Sequence, residues 1–384
     1  MNGRAWLGAA LTIAIGLGLA PSAAAGPGSS RTAIVALGDS FISGEGGRWL
    51  GNGSEPFGTR SGTDRAAFDC DAWGCDYDPS RVYGSSAQNE CDRSDVAPIR
   101  SAPVAVAERV NLACSGARLA NVWPARDGGR RHFGEAPQAD QLAAVAERDA
   151  VRMVVLTVGA NDVGFGELVA GCVFDWLRSS RDDRILCHAG AQADIEAALP
   201  AMARRLTRAL RGVRATMAAA GYRRSDYRLV VMGYASPFPA GDWIRYPEDG
   251  WDRLGDGACP VWNADASWAA GEGVGSIVAT MRDVASAGGA EFLDLRHALD
   301  GHQLCDRRAR RVGSEGPAPE LAEWVRRLSP LQGSSRESLH PNAYGQRAIA
   351  VCLGLLYRLA RGSYACDATP GRGYADGISI EPLR

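Results

Sequence analysis

The stretch Gly38-Asp39-Ser40 places a serine hydroxyl where a run of β-forming residues, 32–37, gives way to a loop. A serine at such a junction can attack a carbonyl carbon if a base removes its proton and nearby donors stabilise the resulting oxyanion. Gly-Asp-Ser also makes ordinary turns capped by the aspartate side chain, so the tripeptide alone does not distinguish a turn from a nucleophile. The interpretation depends on finding a base and oxyanion donors elsewhere in the chain.

His340 is the candidate base, because it lies in the segment Ser338-Leu339-His340-Pro341-Asn342 just ahead of a predicted helix. Pro341 restricts the backbone beside the histidine and could fix the approach of the ring. An ordinary histidine in a surface loop is the alternative. The other four histidines are less well placed: His132 lies in a basic loop, His188 follows a cysteine, and His297 and His302 flank a short turn.

Strands alternate with helices along the rest of the chain. The patterns predict strands near 109–117, 151–158, 228–232 and 291–295, and helices near 137–148, 195–217, 264–286 and 343–361. Such alternation is typical of a mainly parallel sheet with helices on both faces, in which ligands bind outside the carboxyl ends of the strands. Three junctions, at Ser40, Gly116 and Asn161, fall at strand ends of that kind. We expect them to converge on one crevice.

Four motifs of the chain resemble those of the SGNH (GDSL) hydrolases and occur in the same order. They are Gly38-Asp39-Ser40, Cys114-Ser115-Gly116-Ala117, Gly159-Ala160-Asn161-Asp162 and His340-Pro341-Asn342. The chain is most similar to the secreted, disulfide-bonded actinobacterial lipases and esterases of that family. The resemblance implies a three-layer α/β/α sandwich with a mainly parallel, flavodoxin-like sheet and long disulfide-tied loops. It assigns 31–366 to the hydrolase domain and leaves 367–384 as a C-terminal tail.

The resemblance also implies a role for each matching residue. Ser40 would be the nucleophile and His340 the general base, with oxyanion donors from the backbone N–H groups of Ser40 and Gly116 and the side chain of Asn161. The family usually has an aspartate three residues before the histidine, where this chain has Glu337. Either Glu337 orients His340 as the acid of a triad, or it points to solvent and a backbone carbonyl performs this task. The chain has no Gly-x-Ser-x-Gly, so it lacks the nucleophile elbow of the α/β-hydrolases.

The first 25 residues have the pattern of a secretory signal peptide. Arg4 supplies a positive start, 5–20 is an apolar run, and Ala23-Ala24-Ala25 is a small-residue cleavage site. The apolar run is short for a membrane span, although an uncleaved membrane anchor is the alternative. We therefore expect a secreted protein, cleaved near Ala25.

Ten cysteines follow this segment, an even number that favours disulfides in an exported chain. Proximity in sequence suggests the pairs Cys70–Cys75, Cys91–Cys114, Cys172–Cys187, Cys259–Cys305 and Cys352–Cys366, although sequence alone does not fix connectivity. A zinc site is the competing interpretation, but the chain has no Cys-x-x-Cys pair. We expect neither a metal nor a cofactor.

Composition limits the class of partner. The 384 residues are 46% hydrophobic and 22% charged, enough to bury a large core, and no long linker divides them. The formal charge of −2, with arginines interspersed among acids, argues against nucleic acid as a partner. We expect a monomeric ester hydrolase that works through an acyl-serine on small-molecule, lipid or acylated-sugar esters. Acyl transfer, carbohydrate ester (acetyl) hydrolysis and a non-catalytic binding protein remain open.

Aromatic residues of the long loops are candidates for the walls of a substrate site. They are Trp49, Phe57, Trp73 and Tyr77 in the first long loop, and Trp243, Trp251, Trp262 and Trp268 later in the chain. The alternative, which applies to each residue taken singly, is that its ring packs the loop that carries it.

Overall fold

The computed structural model describes residues 28–50, 52, 68–70, 75–310, 318–328 and 334–383, with the backbone alone at 68–70 and 75–77. The expected signal peptide, 1–25, and much of the first long loop, including Phe57 and Trp73, lie outside these ranges. Within them, no helix is both long and apolar enough to cross a membrane.

The described residues form nine strands and ten α-helices. The strands are β1 (Thr32–Gly38), β2 (Phe68–Cys70), β3 (Cys75–Tyr77), β4 (Glu108–Asn111), β5 (Ala150–Thr157), β6 (Arg228–Met232), β7 (Glu291–Asp294), β8 (Tyr364–Ala368) and β9 (Ile378–Pro382). The helices are α1 (Ser40–Ser43), α2 (Ser80–Tyr83), α3 (Pro98–Ser101), α4 (Gln138–Arg148), α5 (Phe165–Leu177), α6 (His188–Ala219), α7 (Trp251–Gly255), α8 (Asn263–Trp268), α9 (Val274–Ala287) and α10 (Ala343–Arg358).

Seven of these strands form one sheet in the order β4-β1-β5-β6-β7-β8-β9. Neighbours pair in parallel, except that β9 runs antiparallel to β8. Helix α6 packs against both α4 and α9, and α3 packs against α10. The buried centre of the sheet is β1 and β5, whose side chains are almost all buried, as their nearly continuous apolar sequences predict. The predicted α/β class with a mainly parallel sheet is confirmed.

Helix α5 and the strands β8 and β9 are among the elements that the sequence-based assignment lacks. Helix α5 is not predicted, because Gly166 and Gly171 within it lower its helix propensity and Gly164 precedes it. The segment 367–384, set apart by the sequence as a tail, completes β8 and supplies β9, so it contributes two stretches, 367–368 and 378–382, to the same sheet.

Four disulfides tie the loops and helices together. They are Cys91–Cys114, Cys172–Cys187, Cys259–Cys305 and Cys352–Cys366, all of which proximity in the sequence suggests. The fifth suggested pair, Cys70–Cys75, concerns side chains outside the described part of the chain. The backbones of these two residues face each other across the β2–β3 pair.

Candidate active site

Ser40 is the first residue of α1 and follows β1 after a sharp turn. Gly38 has a φ of +141°, and a Cβ atom there would collide with the carbonyl oxygen of Thr157 on β5, so this close approach requires glycine. Asp39 caps α1, since its Oδ1 accepts a hydrogen bond of 3.1 Å from the N–H of Phe41. The turn therefore holds Ser40 at the carboxyl edge of the sheet.

The predicted base and the predicted nucleophile meet at this edge. Nε2 of His340 lies 2.7 Å from Oγ of Ser40, across 300 positions of sequence. His340 comes just before α10, where Asn342 caps the helix by accepting hydrogen bonds from the N–H groups of Tyr344 and Gly345. The cap fixes the start of α10 and, with it, the backbone that carries the imidazole.

The other imidazole nitrogen, Nδ1 of His340, lies 3.1 Å from the carbonyl oxygen of Ser338. A carbonyl oxygen can only accept, so Nδ1 carries the proton and Nε2 is left to accept the hydrogen of the Ser40 hydroxyl. Leu339, between Ser338 and His340, has a φ of +65°, an uncommon conformation for a leucine. This turn lets the backbone of the histidine loop, residues 338–341, fold back toward the His340 ring.

Glu337 lies behind this loop. Its buried carboxylate accepts hydrogen bonds from Nε1 of Trp49 at 3.0 Å and from the hydroxyl of Tyr83 at 2.6 Å. It also pairs with Nε of Arg326 at 3.3 Å. Of the two alternatives left open by the sequence, the geometry places a backbone carbonyl, rather than Glu337, at Nδ1 of His340.

The three expected oxyanion donors lie on turns that are bonded together. Nδ2 of Asn161 donates one hydrogen bond of 3.0 Å to the carbonyl oxygen of Ala117, next to Gly116. An amide nitrogen has two hydrogens, so its second remains for a ligand. Among the described residues, the N–H groups of Ser40 and Gly116 donate to no protein acceptor. Asn161 and Ser40 line the same cavity, whereas Gly116 is exposed at its turn.

A buried tyrosine connects the nucleophile turn to the Asn161 turn. The hydroxyl of Tyr234 donates to Oδ2 of Asp39 at 2.6 Å and accepts from the N–H of Ala160 at 3.1 Å. Burial raises the pKa of Asp39 to about 7, against the opposing effect of the hydrogen bond from Tyr234. The sequence places Tyr234 after β6 but carries no signal that it would contact Asp39, since the two are 195 residues apart.

Burial also lowers the pKa of His340 to about 4, although the contacts with the Ser338 carbonyl and the charge of Glu337 act in the opposite direction. The imidazole is therefore neutral at neutral pH. A neutral imidazole with its proton on Nδ1 is the form that can accept a proton from a serine.

A cavity of about 440 Å³ opens beside Ser40, Asn161 and His340. Most of its remaining lining is apolar: Phe165, Val169 and Val173 come from α5, Val274 and Ile277 from α9, and Leu328 and Leu339 from the chain ahead of His340. This volume and this mixture of apolar walls with a few polar groups are usual for small-molecule sites. In the described part of the chain, no group of three or more His, Cys, Asp and Glu side chains is arranged to hold a metal ion.

A family model, that of the GDSL-like lipases and acylhydrolases, matches residues 34–353. This chain belongs to that family. The match spans most of the sheet and all four motifs, so the protein is a carboxylic ester hydrolase. A search of curated proteins finds no significant match.

Solved structures similar to this GDSL-family chain include two from Streptomyces. An extracellular lipase from Streptomyces rimosus and a phospholipase A1 from Streptomyces albidoflavus each have 20% identity and a TM-score of 0.48, and cover 82% of this chain and 94% of their own. A carbohydrate acetylesterase from Sinorhizobium meliloti has 11% identity and a TM-score of 0.29, covering 84% of this chain and 97% of its own. These values are too low to transfer a substrate or a residue role.

The described tryptophans among the suggested aromatic residues do not form the wall of the cavity in this GDSL-family chain. Trp49, Trp262 and Trp268 are buried, and none of the described tryptophans lines the cavity. Trp243 and Trp251 are exposed. The wall is mostly aliphatic, with Phe41, Phe165 and Tyr234 among its residues, and α5, the helix that the sequence does not predict, supplies a large part of it.

Proposed function

We propose that the protein is a secreted ester hydrolase that forms an acyl-enzyme on Ser40, with His340 as general base. The observation that carries the proposal is the 2.7 Å contact between Oγ of Ser40 and Nε2 of His340 at the cavity wall. A nucleophile within hydrogen-bond reach of a base that is itself oriented by a third group is the arrangement that serine hydrolases share. Here the third group is the carbonyl of Ser338.

Acylation begins when Oγ of Ser40 bonds to the ester carbonyl carbon and its proton passes to Nε2 of His340. The carbonyl oxygen becomes an oxyanion, for which the N–H groups of Ser40 and Gly116 and one hydrogen of Asn161 are available. The tetrahedral intermediate then collapses, the bond to the alcohol oxygen breaks, and Nε2 gives its proton to that oxygen. The alcohol leaves, and the acyl group remains on Ser40.

Deacylation repeats these steps with water as the nucleophile. His340 takes a proton from water as the water oxygen bonds to the acyl carbon, and the same donors hold the second oxyanion. When the bond to Oγ breaks, Nε2 returns a proton to Ser40 and the carboxylic acid leaves. If an alcohol took the place of water, the same site would transfer the acyl group.

The cavity supports acyl esters longer than acetate as substrates. Its walls beyond Ser40 are mostly apolar, including Val169 and Val173 of α5 and Ile277 of α9. Each methylene group that such a wall removes from water contributes about 0.8 kcal/mol to binding. A preference for medium or long acyl chains follows, which distinguishes this proposal from hydrolysis of acetylated sugars.

The proposal has two further parts: the mature chain is exported, and it is a monomer. The four described disulfides suit an oxidising compartment, and the N-terminal sequence has the pattern of a signal peptide cleaved near Ala25. N-terminal sequencing of the protein recovered from a culture medium, with size-exclusion chromatography, tests both parts.

Substitution of Ser40 tests the nucleophile. Ser40→Ala is expected to lower hydrolysis of nitrophenyl butyrate by about 10⁶-fold. The matched control is Ser335→Ala, because Ser335 lines the same cavity without contacting His340. Its rate should stay close to that of the parent. A Ser40→Ala protein as active as the Ser335→Ala protein would contradict the assignment.

A series of nitrophenyl esters from acetate to palmitate, run beside acetylated xylan and a phospholipid, tests the substrate class. The account expects kcat/KM to rise from acetate to chains of intermediate length. A maximum at acetate, together with release of acetate from xylan, would favour a carbohydrate esterase instead.

A further inference from the structure

One more carboxyl group, that of Glu45, lies beside the catalytic pair and has no role in the mechanism given above. Glu45 follows α1, and its N–H donates to the carbonyl oxygen of Ser40 at 3.4 Å. Its side chain is 1% exposed, and its Oε2 lies 4.0 Å from Nε2 of His340. Nε2 is the atom that gains and loses the proton in each step of the proposed reaction.

Hydrogen bonds direct the Ser115 hydroxyl toward Glu45. Nη2 of Arg336 donates to Oγ of Ser115 at 2.9 Å, and Oγ of Ser115 lies 2.6 Å from Oε2 of Glu45. A guanidinium has donors only, so the Ser115 hydroxyl accepts a hydrogen bond from Arg336 and donates its own hydrogen to Glu45. The arrangement is suited to Glu45 as a carboxylate. It also joins Glu45 to the turn that carries Gly116, the next residue after Ser115.

The second oxygen of this carboxyl group is unusual. Oε1 of Glu45 is buried and accepts no hydrogen bond from the described residues. Nε of Arg336, at 3.9 Å, forms only a loose ion pair with it. Buried polar atoms are normally paired, because an unpaired one costs free energy, so an exception needs an explanation. With no donor at Oε1, the negative charge of the carboxylate is not fully compensated by hydrogen bonds, and it can respond to a positive charge that appears on the nearby imidazole.

The surroundings leave this carboxyl group able to change its charge near neutral pH. Burial raises the pKa of Glu45 to about 7, and the Ser115 hydrogen bond and Arg336 act in the opposite direction. The other charged and titratable groups that face it are Glu337, Arg326, Asp92 and Tyr83, in addition to His340.

We propose that Glu45 is a positioning residue that stabilises the imidazolium form of His340 from its Nε2 side and holds the oxyanion turn through Ser115. The inference rests on the proposed function. When the Ser40 proton reaches Nε2, the imidazole becomes positive 4.0 Å from Oε2 of Glu45. When Nε2 passes that proton to the leaving alkoxide, the positive charge disappears. Because Nδ1 faces a neutral carbonyl, Glu45 adds a negative charge on the Nε2 side to that of Glu337, whereas a triad acid acts from the opposite side of the ring.

Glu45→Gln tests the charge, because it keeps the length of the side chain and an oxygen that can accept from Ser115. With nitrophenyl butyrate we expect kcat to fall by roughly 10-fold to 100-fold, since a charge interaction at this distance is lost. KM should stay within about twofold, because Glu45 is not among the residues that line the cavity. In the parent, kcat/KM should fall partly as the pH decreases through about 7, the pKa of Glu45. This partial decrease, called the step near pH 7 below, should be absent from the pH profile of Glu45→Gln.

Asp92→Asn is the matched control. Burial raises the pKa of Asp92 to about 7 as well, but in the described part of the chain no hydrogen bond or ion pair joins its carboxyl group to the catalytic pair. This variant should keep the parent kcat and retain the step, displaced slightly to lower pH because the charge of Asp92 no longer opposes that of Glu45. A second variant, Ser115→Ala, removes the hydrogen bond that lowers the pKa of Glu45, so the step should move to higher pH.

Equal kcat values and equal pH profiles for the parent and Glu45→Gln would overturn the inference. If Glu45→Gln does not fold, as judged by circular dichroism, a Ser115→Ala profile with an unmoved step would overturn it as well. Ser40→Ala, measured in parallel, distinguishes a failure of the proposed function from a failure of the role of Glu45. An active Ser40→Ala protein would refute the proposed function, whereas an inactive one beside an unaffected Glu45→Gln would refute the role of Glu45 alone.

Discussion

Nδ1 of His340 lies 3.1 Å from the carbonyl oxygen of Ser338, two residues earlier in the chain. The imidazole is therefore oriented by the backbone of its own loop. A carbonyl keeps the proton on Nδ1, as a triad carboxylate does, but it brings no negative charge to the ring. The stability of the loop then matters more for catalysis than the ionisation of Glu337.

Glu337→Gln should reduce kcat by less than about tenfold, because the imidazole keeps its carbonyl partner. The main effect should fall on stability. Glu337 binds Trp49, Tyr83 and Arg326 in a buried cluster, and Glu337→Ala should lower the free energy of unfolding by roughly 3–5 kcal/mol, because it leaves the arginine charge buried without this partner. Steady-state kinetics and urea unfolding of both variants provide the measurement.

The opposite pattern would assign Glu337 to the chemistry. In a serine protease triad, replacement of the aspartate by asparagine lowers kcat by about 10⁴-fold without disturbing the geometry. A loss of this size in Glu337→Gln, with unchanged unfolding, would show that the carboxylate acts on His340 during the reaction.

The sequence predicts the strand ends that carry the site because parallel sheets gather such ends at one edge. Ser40 and Asn161 each follow a buried apolar strand, and both line one cavity with His340. Gly38 belongs to the same prediction, since the conformation that brings β1 close to Thr157 is open to glycine. These features follow from local sequence and topology alone.

The partners of the buried acids could not be predicted in this way. Glu337 meets Trp49 across 288 positions, and Ser115 meets Glu45 across 70, so each contact depends on how separate loops pack. The glutamate one residue after Gly44 gives no sequence signal that its carboxylate would approach His340. The part of the cavity wall that α5 supplies was not predicted because the glycines within that helix lower its helix propensity.

Removal of the Asn161 side chain should slow the reaction by roughly 10²-fold to 10³-fold in kcat, because a preorganised oxyanion donor is lost. The hydrogen bond to the carbonyl of Ala117 is lost as well, at a cost to stability of about 1 kcal/mol. Asn161→Ala should therefore fold, with a slightly lower melting temperature. A parent-like kcat in a folded Asn161→Ala protein would show that the oxyanion is held elsewhere.

The complete loss of activity at acid pH should occur near pH 4. His340 must be neutral to accept the Ser40 proton, and burial lowers its pKa from 6.5 to about 4. kcat/KM for nitrophenyl butyrate, measured from pH 3.5 to 8, gives the profile. An enzyme that is already inactive at pH 6 and recovers on return to pH 8 would contradict the lowered pKa.

The lowered pKa of His340 also makes the free energy of unfolding depend on pH. Between pH 6.5 and about 4 the unfolded chain protonates this histidine, whereas the folded protein keeps it neutral. The contribution of His340 to the free energy of unfolding therefore decreases as the pH falls through this window. Urea unfolding of His340→Ala, which lacks the group, should show a smaller decrease than the parent over the same range.

Val173→Trp should shorten the acyl chain that the enzyme accepts. Val173 lines the cavity from α5, and an indole there would fill part of the 440 Å³ space. We expect kcat/KM for nitrophenyl octanoate to fall by at least about tenfold, with little change for nitrophenyl acetate. Phe174→Trp is the matched control, since Phe174 is the next residue of the helix and is 61% exposed. Equal losses on both esters in Val173→Trp would mean that the acyl chain lies elsewhere.

The central claim is that the acyl group passes through Ser40, and the most direct measurement is the mass of the acylated enzyme. The protein is mixed with nitrophenyl butyrate, quenched in acid within the first turnover, digested and sequenced by tandem mass spectrometry. The account predicts a butyryl group on Ser40 in the parent and none in Ser40→Ala. A butyryl group on another residue, or hydrolysis by Ser40→Ala at the parent rate, would contradict it.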